Sequence, residues 1–176
     1  MGIKLRKGSL LLPLLVSVLA LVEMGYGQSD ERGVTEEFKN ILVRKNAGRI
    51  SIEIPKELSE ERNLEVAKLF QDVAKTKSVV VQTLKCTPVG DKAQEMMVSE
   101  YKKNPELLFD QTERIERLNI GRFKVLAKKG IKKNYIFDYE VETDQSCTQV
   151  TFLSPGDYFL TDDEVSYIIS TIQGLE

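Results

Sequence analysis

The chain has 176 residues, a formal net charge of −2, no histidine and no tryptophan. Without histidine there can be no Ser-His-Asp triad, no Cys-His pair and no histidine-ligated zinc, and two cysteines cannot form a four-cysteine zinc site. Catalysis would fall to carboxylates, lysine, tyrosine or cysteine, and the slightly acidic balance gives no general drive towards nucleic acid or anionic membrane.

The first element reads as an export signal. Lys4, Arg6 and Lys7 precede 14 largely apolar residues, Ser9 to Val22, and Glu23 closes the run. A helix needs roughly 20 apolar residues to cross a bilayer core, so this run is short for a span. Gly25-Tyr26-Gly27 offers a small-x-small cleavage signal, which makes residues 1–27 a signal peptide cut near Gly27/Gln28. An uncleaved N-terminal anchor is the alternative. The mature chain would carry 22 basic and 26 acidic residues, a net charge of −4. Residues 28–34 are polar and read as a flexible arm, and 35–176 suit a single domain with one core.

Along that domain, Ile41-Leu42-Val43 and Ile50 to Ile54 alternate on either side of Asn46-Ala47-Gly48, the pattern of a β-hairpin. Val34, Phe38, Ile41 and Leu42 also fit helical spacing, so a short helix over 35–45 competes with the first strand. Pro55 ends the second strand, because proline cannot donate to the ladder. Ser59 can cap a helix that begins with Glu60 and Glu61, and Leu64, Val66, Ala67, Phe70, Val73 and Ala74 continue it at three- and four-residue spacing to about Thr76. Ser78 to Leu84 is a β-branched strand. Asp91 caps a helix through Ala93, Met96, Met97 and Tyr101, and Pro105 starts another through Leu107, Leu108, Ile115 and Leu118. Three strands follow, Arg122–Lys128, Asn134–Glu142 and Cys147–Leu153. Thr161-Asp162-Asp163-Glu164 is a capping box opening a last helix, with Val165, Ile168, Ile169 and Ile172 on its apolar face and Gly174 beyond its end.

The expected fold class is α+β: a mostly antiparallel sheet with helices packed on one face, in the order β-β-α-β-α-β-β-β-α. In element order alone this outline resembles small extracytoplasmic α+β sandwiches such as those of the PsbP group. No motif accompanies the likeness.

Cys86 and Cys147 are the two cysteines, and in an oxidising compartment an even pair points to a disulfide. It would close a loop of about 60 residues, for which chain entropy gives near 4 kcal/mol. Two separate buried thiols are the other reading. Asp157, Asp162, Asp163 and Glu164 could offer oxygens to calcium, but their spacing is not that of an EF-hand and the capping box already accounts for Thr161 and Glu164. There is no glycine-rich phosphate loop or dinucleotide fingerprint, and no cofactor or resident metal is expected.

The basic cluster Arg122, Lys124, Lys128, Lys129, Lys132 and Lys133 surrounds Gly130. A five-residue hairpin connection would set Lys124 opposite Asp138 and Arg122 opposite Glu140, as cross-strand pairs. Lys128, Lys129, Lys132 and Lys133 would then stand at the tip as a candidate patch for an anion or partner, or simply as a solvated turn. Met96, Met97 and Tyr101 could form an adaptable contact surface, or serve as ordinary core.

The functional expectation is an exported soluble domain, secreted or periplasmic, that acts by binding and has no catalytic residues of its own. Its partner would be another protein or an anionic ligand, not nucleic acid, with no stable membrane span after processing. A carboxylate-based hydrolase and an accessory subunit of an envelope or extracellular assembly are the rivals.

Overall fold

A computed structural model describes residues 33–63, 66–84, 91–142 and 147–174. The expected signal peptide (1–27), most of the expected arm and Cys86 lie outside the described residues.

The architecture is α+β. Thr35 accepts a hydrogen bond from the Phe38 amide (3.1 Å) and opens helix α1, Glu36–Asn40, which buries Phe38. The hairpin β1 (Leu42–Ala47) and β2 (Ile50–Pro55) follows directly. The helix and strand readings of 35–45 are thus each true of half the segment. The turn falls at Gly48-Arg49, with Ala47 paired to Ile50, and Gly48 sits at φ 63°, where a Cβ is disfavoured.

Two expected helices are strands. Residues 59–76 form an antiparallel pair, β3 (Ser59–Asn63) and β4 (Ala67–Gln71). The apolar residues that suggested helical spacing do not share a buried face. Phe70 is fully buried, whereas Val66 is 54% and Val73 97% exposed. Asp72 ends β4 by accepting from the Thr76 and Lys77 amides (2.7 and 2.8 Å), and these bonds, led by Lys77, hold its carboxyl below the usual range. Strand β5, Ser78–Leu84, matches the expected bounds, as does the start of helix α2, Asp91–Lys103. Pro105–Leu107 is a single 3-10 turn, and Gln111–Ile120 is strand β6 rather than helix. Strands β7 (Phe123–Lys132), β8 (Asn134–Glu142) and β9 (Cys147–Ser154) complete the large sheet.

That sheet runs β3-β4-β5-β9-β8-β7-β6, antiparallel throughout. A smaller sheet joins β1, β2 and the two-residue β10 (Gln173–Gly174). Ile50, Ile52 and Ile54 of β2 meet Phe70, Val79, Val125, Phe137, Tyr139 and Phe152 of the large sheet in one core, together with Val165, Ile168 and Ile169 of helix α3 (Asp162–Ser170). Helix α2 packs beside β6, on the side of the sheet where Lys128 approaches the Tyr101 ring, so helices serve both faces. Gly174 is not a helix cap. Helix α3 ends at Thr171, whose hydroxyl donates to the Ile168 carbonyl (2.7 Å), and Gly174 pairs with Ile50 in β10.

The capping box forms as expected. The Glu164 amide donates to Thr161 Oγ1 (3.2 Å), and the Thr161 amide donates to Glu164 Oε2 (2.7 Å). Thr161→Ala is expected to lower unfolding stability by about 1 kcal/mol in urea titration. A change below about 0.3 kcal/mol would mean that core packing alone fixes this end of α3.

Candidate functional site

The basic hairpin is the place to look for chemistry, and its register decides what the lysines do. Strands β7 and β8 turn tightly at Lys133, which adopts φ 65°, and Lys132 pairs with Asn134. Lys128 therefore faces Asp138. Lys124 lies opposite Asn119 of β6, and Arg122 sits in the β6–β7 turn with its guanidinium 5.0 Å from the Phe123 ring centre. The expected pairs Lys124–Asp138 and Arg122–Glu140 do not form, because the turn lies two residues further along than expected, which shifts the pairing by four. An even shift keeps every side chain on its expected face.

Consecutive lysines then point to opposite faces. Lys128 is 5% exposed, its Nζ 2.7 Å from Asp138 Oδ2 and also paired with Glu140. Asp138 Oδ1 accepts from Gln149 Nε2 and Thr151 Oγ1, both at 2.9 Å. Burial pulls the Lys128 ammonium down, but Asp138 and Glu140 outweigh it, so its pKa is raised and it stays protonated.

Lys129 lies on the core face, 3.3 Å from Asp162 and 3.4 Å from Glu113, with Nζ 4.4 Å and 4.9 Å from the ring centres of Tyr158 and Phe137. Such contacts add cation–π attraction to the ion pairs. Arg114 binds Asp162 (2.7 Å) and donates to the Tyr139 hydroxyl (3.1 Å). Burial pushes the Tyr139 phenol up to about 12, against the pull of Arg114. Burial also raises Tyr158, with the Glu113 and Asp162 carboxylates adding to it.

Lys128 and Lys129 are thus tied into separate ion clusters and are not a free patch. Lys132 and Lys133 are exposed at the turn and form no ion pair among the described residues. Asp162 serves Arg114 and Lys129, Thr161 and Glu164 cap α3, and the described residues contain no group of three or more potential metal ligands. Met96 is 67% exposed and lies outside the core, as do Met97 and Tyr101. Cys147 opens β9. Arg114, Glu113 and Tyr158 had no signal of their own in the sequence, since 105–118 reads there as a helix whose charges lie on a solvated face.

No protein-family model matches the chain, and no curated protein matches it. Solved structures do. One is a protein of Bacteroides thetaiotaomicron VPI-5482, at a TM-score of 0.50 and 17% identity over 73% of this chain; the match spans 46% of that protein. The Saccharomyces cerevisiae Ran-binding protein Mog1p matches at a TM-score of 0.48 and 7% identity, covering 77% of this chain and 97% of Mog1p. The cyanobacterial PsbP of Synechocystis matches at 0.46 and 9% identity, covering 76% and 92%. The likeness to the Bacteroides protein is one of fold, and it shows this chain to be an α+β protein built on antiparallel sheet.

Proposed function

We propose that the chain is an exported domain that works by binding another protein and carries out no catalysis of its own. The observation that carries this reading is the flank formed by α2 and the following 3-10 turn. Met96 and Leu107 are 67% and 63% exposed there, beside strand β6. Exposed large apolar side chains on adjoining elements are what a protein contact can use. The hairpin supports the same reading by elimination. Lys128 is held protonated and Tyr139 is pushed to about 12, so neither is placed to exchange a proton near neutral pH. An anionic ligand at Lys132 and Lys133 is the second reading, favoured by their exposure and lack of ion pairs.

A photocrosslinker at position 96 of the exported chain is expected to give one discrete adduct, lost when Leu107 is changed to Lys. Folding should hold, since surface changes of this kind stay within about 0.5 kcal/mol. An adduct unmoved by Leu107→Lys, or a hydrolytic activity abolished by Glu140→Gln, would overturn the reading.

A Cys86–Cys147 disulfide belongs with export. Cys147 pairs in register with Leu84, two residues before Cys86, and is not a free thiol; the chain has one other cysteine. Reduction is expected to remove about 2–4 kcal/mol of stability. Two thiols that alkylate freely in the native exported protein would refute the bond. The exported chain should begin within about two residues of Gln28, as small-x-small cleavage requires, and an intact Met1 on it would refute cleavage.

A further inference from the structure

We propose that β6 is a docking edge for a second copy of this chain, paired antiparallel about Ile115, a surface separate from the flank at Met96 and Leu107. Strand β6 is ten residues long and ends the large sheet, with β7 its one strand neighbour among the described residues. An open edge of this length is a template for another strand. Its sequence is self-complementary. Glu113-Arg114-Ile115-Glu116-Arg117, laid against its own reverse, sets every Arg opposite a Glu and Ile115 opposite itself. An isologous two-fold contact needs that property, because each residue meets its counterpart in the same register on both sides. Directly opposed residues of an antiparallel ladder share a face, so Arg114 of one copy and Glu116 of the other point the same way.

The geometry presents these charges. Asp162 fixes the Arg114 guanidinium at 2.7 Å. Its Nε lies 3.0 Å from Glu116 of the same chain, so the two-fold would bring two such pairs together as one cluster of alternating charge. The bulge between Thr112 and Arg114 bends the ladder at Glu113, which confines the pairing to a short stretch and makes the dimer weak. The other edges lack this pattern. Strand β1 has Arg44 and Lys45 and no acid, and β3 is five residues long and fully exposed.

The test is sedimentation of the full processed chain from about 5 to 500 μM, with amide exchange at the same concentrations. The expected result is a concentration-dependent dimer whose β6 amides gain protection as it forms. Glu116→Arg sets Arg against Arg twice and should raise the dissociation constant about tenfold or more. Glu116→Gln should raise it less, and it guards against a folding defect in the first variant. A monomer throughout the range overturns the inference, as does a dimer that neither variant weakens. If the position-96 adduct persists while the chain is monomeric, the binding reading stands and this one falls. A dimer sensitive to Glu116, with no adduct at position 96, gives the reverse.

Discussion

Lys128→Met is expected to cost about 3 kcal/mol of unfolding stability at pH 7, measured by urea denaturation. The mechanism is the orphaning of two carboxylates. Asp138 and Glu140 both take their cation from Lys128, and Asp138 lies on the buried middle of β8. Removing one partner of a buried pair costs about 3–5 kcal/mol, because the remaining charge has lost its counterion in a poorly solvated place. Glu140 retains 37% of its side-chain exposure, which puts the expectation at the lower end. The pH dependence separates this from lost packing. The folded Lys128 pKa is raised above 10.5, so the stability its pairs contribute is fully present below the unfolded value and is lost as pH rises through the folded one. Wild type should therefore lose this contribution on an alkaline limb beyond about pH 10.4, and Lys128→Met should lack that limb. A variant that parallels wild type through the alkaline range would show that Lys128 acts through its aliphatic stem alone.

Buried charge was the part of the hairpin hardest to read in the sequence, and the reason is the turn. Phe123, Val125 and Ala127 against Phe137, Tyr139 and Val141 fix which residues share a face, and the structure keeps those faces. Face parity has a period of two, so it cannot tell a turn centred on Ile131 from one centred on Lys133. Gly130 falls within the expected five-residue connection. The chain instead turns at a lysine in the left-handed region, where glycine or asparagine is usual, so the local signal pointed away from the true site.

The same limit explains the two missed strands. Residues 59–76 and 105–118 hold apolar residues at three- and four-residue spacing by composition, not because one face is buried. Leu107 is as exposed as Met96, and in β6 the alternating Glu and Arg residues give the low apolar content of an exposed helix. A strand whose edge carries such charge lacks the period-2 hydrophobic signal that identifies strands. Where burial was strong, as in β5, β8, β9 and α3, sequence and structure agree to within a residue or two. The candidate site was legible as a basic hairpin. Its partners on β6 and α3 were not, because nothing local links Arg114 or Asp162 to Lys129.

Gly130→Ala should destabilise the fold by about 2 kcal/mol although it adds one carbon, because that carbon has nowhere to go. A Cβ at Gly130 would stand 2.6 Å from the Gln111 carbonyl oxygen and 2.6 Å from two atoms of the Phe109 ring. Gly130 lies within β7, opposite Thr112 across the edge pair and Ile136 on the other side. Phe109, 4% exposed, covers it just ahead of β6. A glycine inside a strand marks such a close approach. The two obstacles differ in kind. The ring can be removed by mutation, but the carbonyl belongs to the backbone of a residue paired to Ile131. Phe109→Ala alone should cost about 3 kcal/mol through the cavity it leaves. The double variant should be more stable than the sum of the singles by about 1 kcal/mol, since the new methyl then meets open space on one side. It should remain less stable than Phe109→Ala, because the clash with Gln111 survives. Urea denaturation of the four proteins reads the cycle. If Gly130→Ala lies within about 0.5 kcal/mol of wild type, Phe109 is not seated over Gly130 and the start of β6 is held some other way.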